Sequence, residues 1–296
     1  MSINLTATGA GIAFSAGAAV FFGTLSIFAK LAYRAGAEPL PLLGLRFTVA
    51  AILLAAFHMA SRRRMMVDRR SLIRLLALGA FGYGVESTLF FMALEHASAA
   101  VVGLVFYSYP LWTTLGAIAA GLDRPRLAVF VALALSSAGV LLIFSLPEGS
   151  LLGPLLALAS ALAVTLYFLV AQLLLREVQP SAAAMWTSVG AALATGGVSA
   201  ATGRTLPLDA VWPAIALGTV TAIAFLLMYE GIERIGSSRF AIAAMLEPVT
   251  TIVLAAAVLS ESITLRVVAG GVLVVSALPI LAASKRDEPV PAADTL

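Results

Sequence analysis

Ten apolar runs follow one another along the chain, and short polar connections separate them. A helix needs about 20 mostly apolar residues to cross the hydrocarbon core of a bilayer. The runs therefore predict ten transmembrane helices, with no room between them for a soluble domain. They lie at 11–34, 40–60, 71–94, 98–120, 126–146, 152–176, 181–201, 209–233, 238–260 and 265–284.

Composition indicates an all-α integral membrane protein. Hydrophobic residues make up 61% of the chain and charged residues only 11%, whereas about a quarter of a soluble domain is charged. The chain has no cysteine and two histidines, which argues against disulfides and against a metal site built on thiolates or imidazoles. It also lacks a His-Glu-x-x-His motif and a nucleotide-binding glycine loop. We therefore expect a protein that is not an enzyme and that uses no cofactor and no metal.

The basic residues predict the orientation in the membrane. Six arginines cluster in the second connection and just after it: Arg62, Arg63, Arg64, Arg69, Arg70 and Arg74. Placing this connection in the cytoplasm puts 13 of the 18 Lys and Arg residues inside, as the positive-inside rule requires. Both termini are then cytoplasmic, in a bacterial-type inner membrane. We interpret the cluster as an orientation signal that attracts anionic lipid, and we expect no nucleic-acid partner.

The two halves of the chain resemble each other when one is shifted by 138 residues. The shift superimposes Pro110 on Pro248, Thr113 on Thr251, Asp123 on Glu261 and Glu95 on Glu233. Residues 11–146 and 152–284 then form two five-helix repeats, followed by a disordered cytoplasmic tail, residues 285–296. Because five is an odd number, the second repeat is predicted to lie upside down relative to the first, as in many transporters.

Several short motifs occur in a fixed order across the two halves. They are Phe22-Gly23 with Lys30, Leu45-Arg46-Phe47, Leu246-Glu247-Pro248, Ser260-Glu261-Ser262-Ile263-Thr264 and Gly270-Gly271. With these motifs the chain resembles the drug/metabolite transporter superfamily, in its ten-helix EamA-type branch, over nearly all of residues 11–284. The first half departs from the pattern, because Tyr109 stands where the acid before the proline would be and Asp123-Arg124 replaces the Glu-containing turn.

Aromatic residues around Pro110 extend the resemblance. Tyr107, Tyr109 and Trp112 are similar to a cluster in the YddG-like amino-acid exporters of that superfamily. The resemblance implies export of amino acids, aromatic or hydrophobic ones among them, or of related metabolites, by alternating access. A drug or other metabolite carrier of the same superfamily and a channel are the alternatives. We expect a monomer whose partners are a small-molecule substrate and the lipid bilayer.

Large aromatic residues near mid-membrane depth predict a binding cavity. Tyr109 and Trp112 lie roughly 17–21 Å into the fourth helix at about 1.5 Å per residue, and they share one helical face. Packing between helices is the alternative role for such rings. Glu86, halfway along the third helix, is a functional acid, a protonated group hydrogen-bonded within the bundle, a partner of Arg46, or a residue nearer a helix end than the predicted bounds place it. The predicted substrate-binding set is Tyr83, Glu86, Tyr109, Trp112, Tyr167 and Tyr229.

Charges and prolines inside the apolar runs form a second set of candidates. Lys30 and Arg46 lie near the outer ends of their helices. There they either snorkel to the interface, attract a substrate carboxylate or, for Arg46, pair with Glu86. A proline interrupts the hydrogen bonds of a helix and frees backbone groups. The residues predicted to make polar contacts or to act in gating are Lys30, Arg46, Gln172, Glu247, Pro110 and Pro248.

Overall fold

A computed structural model describes residues 3–61, 66–97, 99–143, 151–259 and 265–283. Every regular element in these ranges is a helix. The elements are α1 (Ile3–Arg34), α2 (Pro39–Ser61), α3 (Arg69–Ala77), a π-helical segment (Leu78–Tyr83), α4 (Gly84–His96), α5 (Ala99–Phe106), α6 (Tyr109–Ala119), α7 (Leu127–Ile143), α8 (Leu152–Leu174), α9 (Pro180–Ala201), α10 (Leu208–Ala244), α11 (Leu246–Leu259) and α12 (Leu265–Ala283). The predicted tail and Glu261 lie outside the described residues.

The helices have the length and composition of membrane spans. Five in the described part of the chain are long and apolar enough to cross a bilayer: Thr8–Arg34, Pro39–Ser61, Arg69–Ala93, Leu152–Leu174 and Leu208–Ala244. Two shorter apolar helices, Leu127–Leu142 and Val268–Leu281, accompany them. In the order of the ten predicted spans, α3 and α4 form the third, α5 and α6 the fourth, and α10 continues from the eighth into the ninth. The all-α, ten-helix membrane architecture predicted from the sequence is confirmed.

Two helices are broken at prolines, where the sequence predicted continuous spans with a kink. α5 ends at Phe106, four residues before Pro110, and α10 ends at Ala244, four residues before Pro248. Proline has no N–H to bond the carbonyl four residues earlier, and its ring clashes with that carbonyl. The two breaks are 138 residues apart, so the same interruption occurs at the same place in each half.

Two further departures from regular helix shape the bundle. The third span, predicted as one α-helix, contains the π-helical segment Leu78–Tyr83, a feature frequent at functional sites. α10 turns at Gly236, whose φ of 81° and ψ of 163° are not helical. Glycine adopts a positive φ without the penalty of a Cβ. The turn at Gly236 separates the eighth span from the ninth, within the predicted connection 234–237.

The packing of the helices follows an internal two-fold relation. In the first half α1 packs on α10 and α11, and its equivalent in the second half, α8, packs on α4, α5 and α6. The helix α2 packs on α9, and α7 packs on α12. The equivalent helices α2 and α9 run antiparallel. Glu38, just before α2, pairs with Arg204, just after α9, at 2.8 Å, and farther along a Cβ on Gly44 would lie 2.9 Å from the Cα of Gly196.

Candidate functional site

The largest buried core of the protein is rich in aromatic side chains. The rings of Tyr83 and Tyr167 lie 5.2 Å apart, and those of Tyr83 and Phe225 lie 4.8 Å apart, in edge-to-face geometry. Such pairs contribute about 0.5–1.5 kcal/mol beyond their burial. The structure brings four of the five predicted aromatic residues into this core: Tyr83, Tyr109, Tyr167 and Tyr229.

Two of these tyrosines belong to a hydrogen-bonded chain across three helices. The Tyr167 hydroxyl donates to the Tyr229 hydroxyl at 2.8 Å, and the Tyr229 hydroxyl donates to the Thr187 Oγ1 at 3.1 Å. Thr187 donates in turn to the Ala183 carbonyl at 2.7 Å. Both tyrosines are fully buried. Both hydroxyl protons are therefore bonded inside the protein. This hydrogen-bonded chain links α8, α9 and α10 through the core in this conformation.

Glu86 is buried beside this aromatic core, on α4. Its Oε2 accepts from the Ser87 hydroxyl at 2.9 Å, and its Oε1 lies 3.3 Å from the Ser160 hydroxyl of α8. Ser160 also donates to the Glu86 carbonyl at 3.0 Å. The Ser87 hydroxyl thus orients the carboxyl, and the single Ser160 proton is shared between the carboxyl and the main-chain carbonyl of Glu86. Ser160 is not among the residues that the sequence predicted for the site.

Arg46 is buried, with only 4% of its surface exposed, so the expectation that it snorkels to the interface is wrong. Its Nε donates to the Thr221 Oγ1 at 2.8 Å. Its Cζ lies 4.9 Å from the centre of the Phe47 ring and 6.0 Å from that of Tyr83. Within the described residues its Nη2 has no hydrogen-bond partner. Aromatic faces attract a guanidinium, which accounts for its retention inside the bundle.

Glu247, next to Pro248, completes a polar region at mid-bundle. Its carboxyl interacts with the Tyr107 hydroxyl and with the charges of Glu86 and Arg46. Arg46 likewise acts on Glu86 through its charge, although neither acid forms an ion pair with it within the described residues. Arg46, Glu86, Glu247 and the ring of Tyr83 are hereafter the central site, because helices of both halves supply them.

Three predicted residues lie away from the central site. Trp112 is 37% exposed, and its Nε1 donates to the Ser108 hydroxyl at 3.1 Å. Gln172 is engaged by a neighbour, since its Oε1 accepts from the Ser237 N–H at 2.7 Å and the Ser237 hydroxyl at 2.6 Å. Lys30 is exposed on α1. Gln172 therefore holds the turn after Gly236 in this conformation, where the sequence left a ligand contact open.

The threonines that the repeat aligned make equivalent contacts near the two prolines. Thr251 donates to the Gly23 carbonyl at 3.0 Å. Thr113 lies 3.3 Å from Thr165, which donates to the Ala161 carbonyl at 2.9 Å. Gly23 and Ala161 are also 138 residues apart. Each broken helix is thus anchored to the first helix of the opposite half, which is α1 for the ninth span and α8 for the fourth span. Pro110 and Pro248 mark the two breaks that are anchored in this way.

Sequence reasoning missed two buried polar residues. Arg239, just inside the ninth predicted span, is only 1% exposed, in the helical stretch after Gly236. His58, near the end of α2, is also 1% exposed, and neither of its ring nitrogens has a hydrogen-bond partner in the described ranges. No sequence signal distinguishes them, because burial of a polar side chain at a span end depends on which helix packs there. No group of three or more His, Asp or Glu residues that could hold a metal occurs in the part of the chain described.

Comparisons with known proteins agree with this architecture. A model of the EamA-like transporter family matches residues 9–145 and, separately, residues 151–282. A protein named "Uncharacterized transporter YcbK", from Bacillus subtilis (strain 168), is 29% identical over 271 residues, which cover 85% of this chain and 86% of that protein. A solved structure titled "Crystal structure of protein" has a TM-score of 0.77 and 22% identity, covering 93% of this chain and 97% of its own. At that identity the structure supports the fold alone.

Proposed function

The chain belongs to the EamA-like transporter family, and we propose that it exports amino acids or related small metabolites across the inner membrane by alternating access. The observation that carries the proposal is the central site. It places one buried arginine and two acids beside an aromatic core, between helices of both halves. Charges of both signs next to apolar rings suit a small zwitterion with an apolar side chain, because buried ionic groups need partners of opposite charge.

Alternating access is supported by the relation between the halves. Transporters with inverted repeats bind substrate near the bilayer midplane, at broken helices, and rock one repeat against the other. Here equivalent helices α2 and α9 run antiparallel, and each half has a broken helix ahead of its proline. We propose that residues 11–146 and 152–284 are the two inverted repeats, that both termini are cytoplasmic and that the monomer is the transporting unit.

The topology can be tested separately from the substrate. Reporter fusions that distinguish cytoplasm from periplasm should place Glu148 outside and the C-terminus inside. Signals on the same side from both fusions would contradict the inverted arrangement. The test needs no knowledge of the substrate, so its outcome does not depend on the proposed cargo.

The transport function is tested by export from cells loaded with a panel of amino acids, followed by counterflow in proteoliposomes. We expect saturable exchange of amino acids with apolar side chains. Flux that does not saturate would indicate a channel. The buried aromatic core also favours a second candidate, a carrier of apolar drugs. Exchange of apolar compounds without exchange of any amino acid would support that carrier and contradict the proposed cargo.

A further inference from the structure

One nitrogen of the Arg46 guanidinium is buried without a partner. The Nε is used by Thr221 at 2.8 Å, whereas the Nη2 has no hydrogen-bond partner within the described residues. A buried donor left unsatisfied is costly, and more so when it carries charge. The Nη2 of Arg46 can therefore still donate a hydrogen bond to a further acceptor.

The neighbouring acids do not supply the missing acceptor. Glu86 accepts from Ser87 and Ser160, and Glu247 interacts with Tyr107. Neither forms an ion pair with Arg46 in the part of the chain that the structure describes. The rings of Phe47 and Tyr83 lie against the guanidinium and the Tyr83 hydroxyl interacts with it, but the Nη2 still has no acceptor within the described residues. A planar anion would complete the set, since the guanidinium fork matches a carboxylate with two parallel hydrogen bonds.

We propose that Arg46 binds the carboxylate of the substrate, while Glu86 and Glu247 face its ammonium group. The inference rests on the proposed transport function and narrows its cargo to zwitterionic α-amino acids. Compounds that lack the carboxylate leave the Nη2 of Arg46 unsatisfied and are bound poorly. Sites built to bond a polar group discriminate strongly against analogues without it, because their own buried groups then stay unpaired.

The decisive measurement compares a substrate with and without its carboxylate. Counterflow of labelled L-phenylalanine into proteoliposomes is competed with unlabelled L-phenylalanine, L-phenylalanine amide and phenyl phosphate. In the wild type we expect L-phenylalanine to compete at least roughly tenfold better than the amide, given the strength of hydrogen bonds to charged groups. An amide that competes equally well overturns the proposal, and so does phenyl phosphate that competes better than L-phenylalanine, because the bound anion is then a phosphate.

Variants separate recognition from structural support. Arg46→Gln should raise the apparent KM for L-phenylalanine by roughly 10- to 100-fold and bring the acid-to-amide ratio close to one. Arg46→Lys should restore part of the preference, because a charge remains without the planar fork. Arg204→Gln removes an exposed arginine paired with Glu38 and should leave the ratio unchanged.

The outcomes distinguish this inference from the function on which it rests. Exchange of L-phenylalanine with an unaltered acid-to-amide ratio in Arg46→Gln overturns the role of Arg46 and leaves transport standing. If the wild type exchanges no amino acid, the proposed function and the inference both fail. If Arg46→Gln does not fold, the acid-to-amide ratios of the wild type and of Arg46→Lys still test whether Arg46 binds the carboxylate.

Discussion

The hydroxyl of Tyr167 donates to the hydroxyl of Tyr229 at 2.8 Å and joins α8 to α10. The two residues have unequal roles in this hydrogen-bonded chain, because Tyr229 accepts from Tyr167 and also donates to Thr187 at 3.1 Å. Removing the Tyr229 hydroxyl takes away the acceptor of the buried Tyr167 proton. Removing the Tyr167 hydroxyl leaves the hydroxyl protons of Tyr229 and Thr187 bonded as before.

This asymmetry predicts unequal stability losses. We expect Tyr229→Phe to cost about 1–3 kcal/mol of unfolding free energy and Tyr167→Phe about 0.5–1.5 kcal/mol, since an orphaned buried donor costs more than a lost bond. The double variant should cost less than the sum of the single variants, because the hydroxyls are in direct contact. Unfolding of the purified protein in mixed micelles measures the three values. If the two single variants lose equal unfolding free energy, and the double variant loses their sum, the direction of the hydrogen-bonded chain is contradicted.

Close backbone packing between the π-helical segment and α9 gives a second prediction. A Cβ on Gly79 would collide with the carbonyl oxygen of Thr187, and backbone cannot move aside as a flexible side chain can. Forcing extra atoms into a packed core costs typically about 1–3 kcal/mol. Gly79→Ala should therefore lower the melting temperature strongly or prevent folding, as measured by thermal melting in detergent.

Gly197→Ala is the matched control, because a Cβ at that position of α9 meets no atom within 4 Å. Alanine is favoured over glycine in a helix by roughly 0.5–1 kcal/mol, so this variant should melt at the same temperature or higher. A Gly79→Ala protein that melts with the wild type would show that α9 and the third span are farther apart than described.

The sequence predicted those features of the fold that depend on hydrophobicity and on the positions of proline. The ten spans follow from apolar runs. Pro110 and Pro248 predicted where two spans are interrupted, because the carbonyl four residues earlier loses its partner, although the interruption is a break and not the predicted kink. The ordered motifs gave a family resemblance that is confirmed by the match over residues 9–145 and 151–282.

The surroundings of individual side chains depend on which helices pack against each other. The periodicity of the sequence does not contain that information. Arg46 looked like a snorkelling residue because it lies near a helix end, yet Thr221 and the Phe47 ring retain it inside. Trp112 shares a helical face with Tyr109, but only Tyr109 enters the aromatic core. The rotation of a span about its axis is set by its neighbours, so depth and face together do not identify a lining residue.

Asp68 is expected to stabilise the start of α3 in a pH-dependent way. Its Oδ2 accepts from the N–H groups of Arg70 at 3.0 Å and Ser71 at 3.1 Å. Hydrogen bonds, first that of the Ser71 side chain, lower the pKa of Asp68 below its ordinary value of 3.8. A depressed folded pKa means that the stabilisation is complete above the unfolded pKa and is lost as pH falls through the folded one.

Asp68→Asn tests this dependence, because asparagine also caps helices but does not titrate. The wild type should melt above the variant at pH 7, where an anion at the helix N-terminus is favourable. The difference should shrink once the pH falls below 3.8. A difference in melting temperature that stays constant down to pH 3 would refute the assignment.

Tyr83 is expected to matter more than Trp112 for substrate affinity. The Tyr83 ring lies beside Arg46 and inside the aromatic core, whereas Trp112 is 37% exposed. An aromatic contact contributes about 0.5–1.5 kcal/mol beyond burial, so Tyr83→Leu should raise the apparent KM roughly 2- to 12-fold. Tyr83→Phe keeps the ring and should stay near the wild type. A larger increase in KM for a folded Trp112→Ala than for Tyr83→Leu would restore Trp112 to the site.

The last prediction concerns energy coupling through Glu86. A proton-coupled exporter needs a buried acid that loads a proton on one side and releases it on the other. Glu86 is buried at the central site, but the Ser87 hydroxyl orients its carboxyl, and Ser160 shares its proton between that carboxyl and the main-chain carbonyl of Glu86. A carboxyl held in this way fits a fixed polar contact better than a mobile carrier of protons. We therefore expect facilitated export down the cytoplasmic substrate gradient.

Proteoliposomes with an imposed pH gradient decide between the two mechanisms. We expect the gradient not to drive L-phenylalanine above equilibrium in the wild type. Glu86→Gln should keep downhill exchange at a raised apparent KM, because an amide can bond both serines but has no charge to face the ammonium group of the substrate. Glu247→Gln is the matched comparison, since Glu247 interacts with Tyr107 on the opposite half. If the gradient drives accumulation in the wild type and in Glu247→Gln but not in Glu86→Gln, then Glu86 carries the proton. In that case the serines must release its carboxyl during each cycle, because a proton bound in only one orientation cannot reach both sides of the membrane.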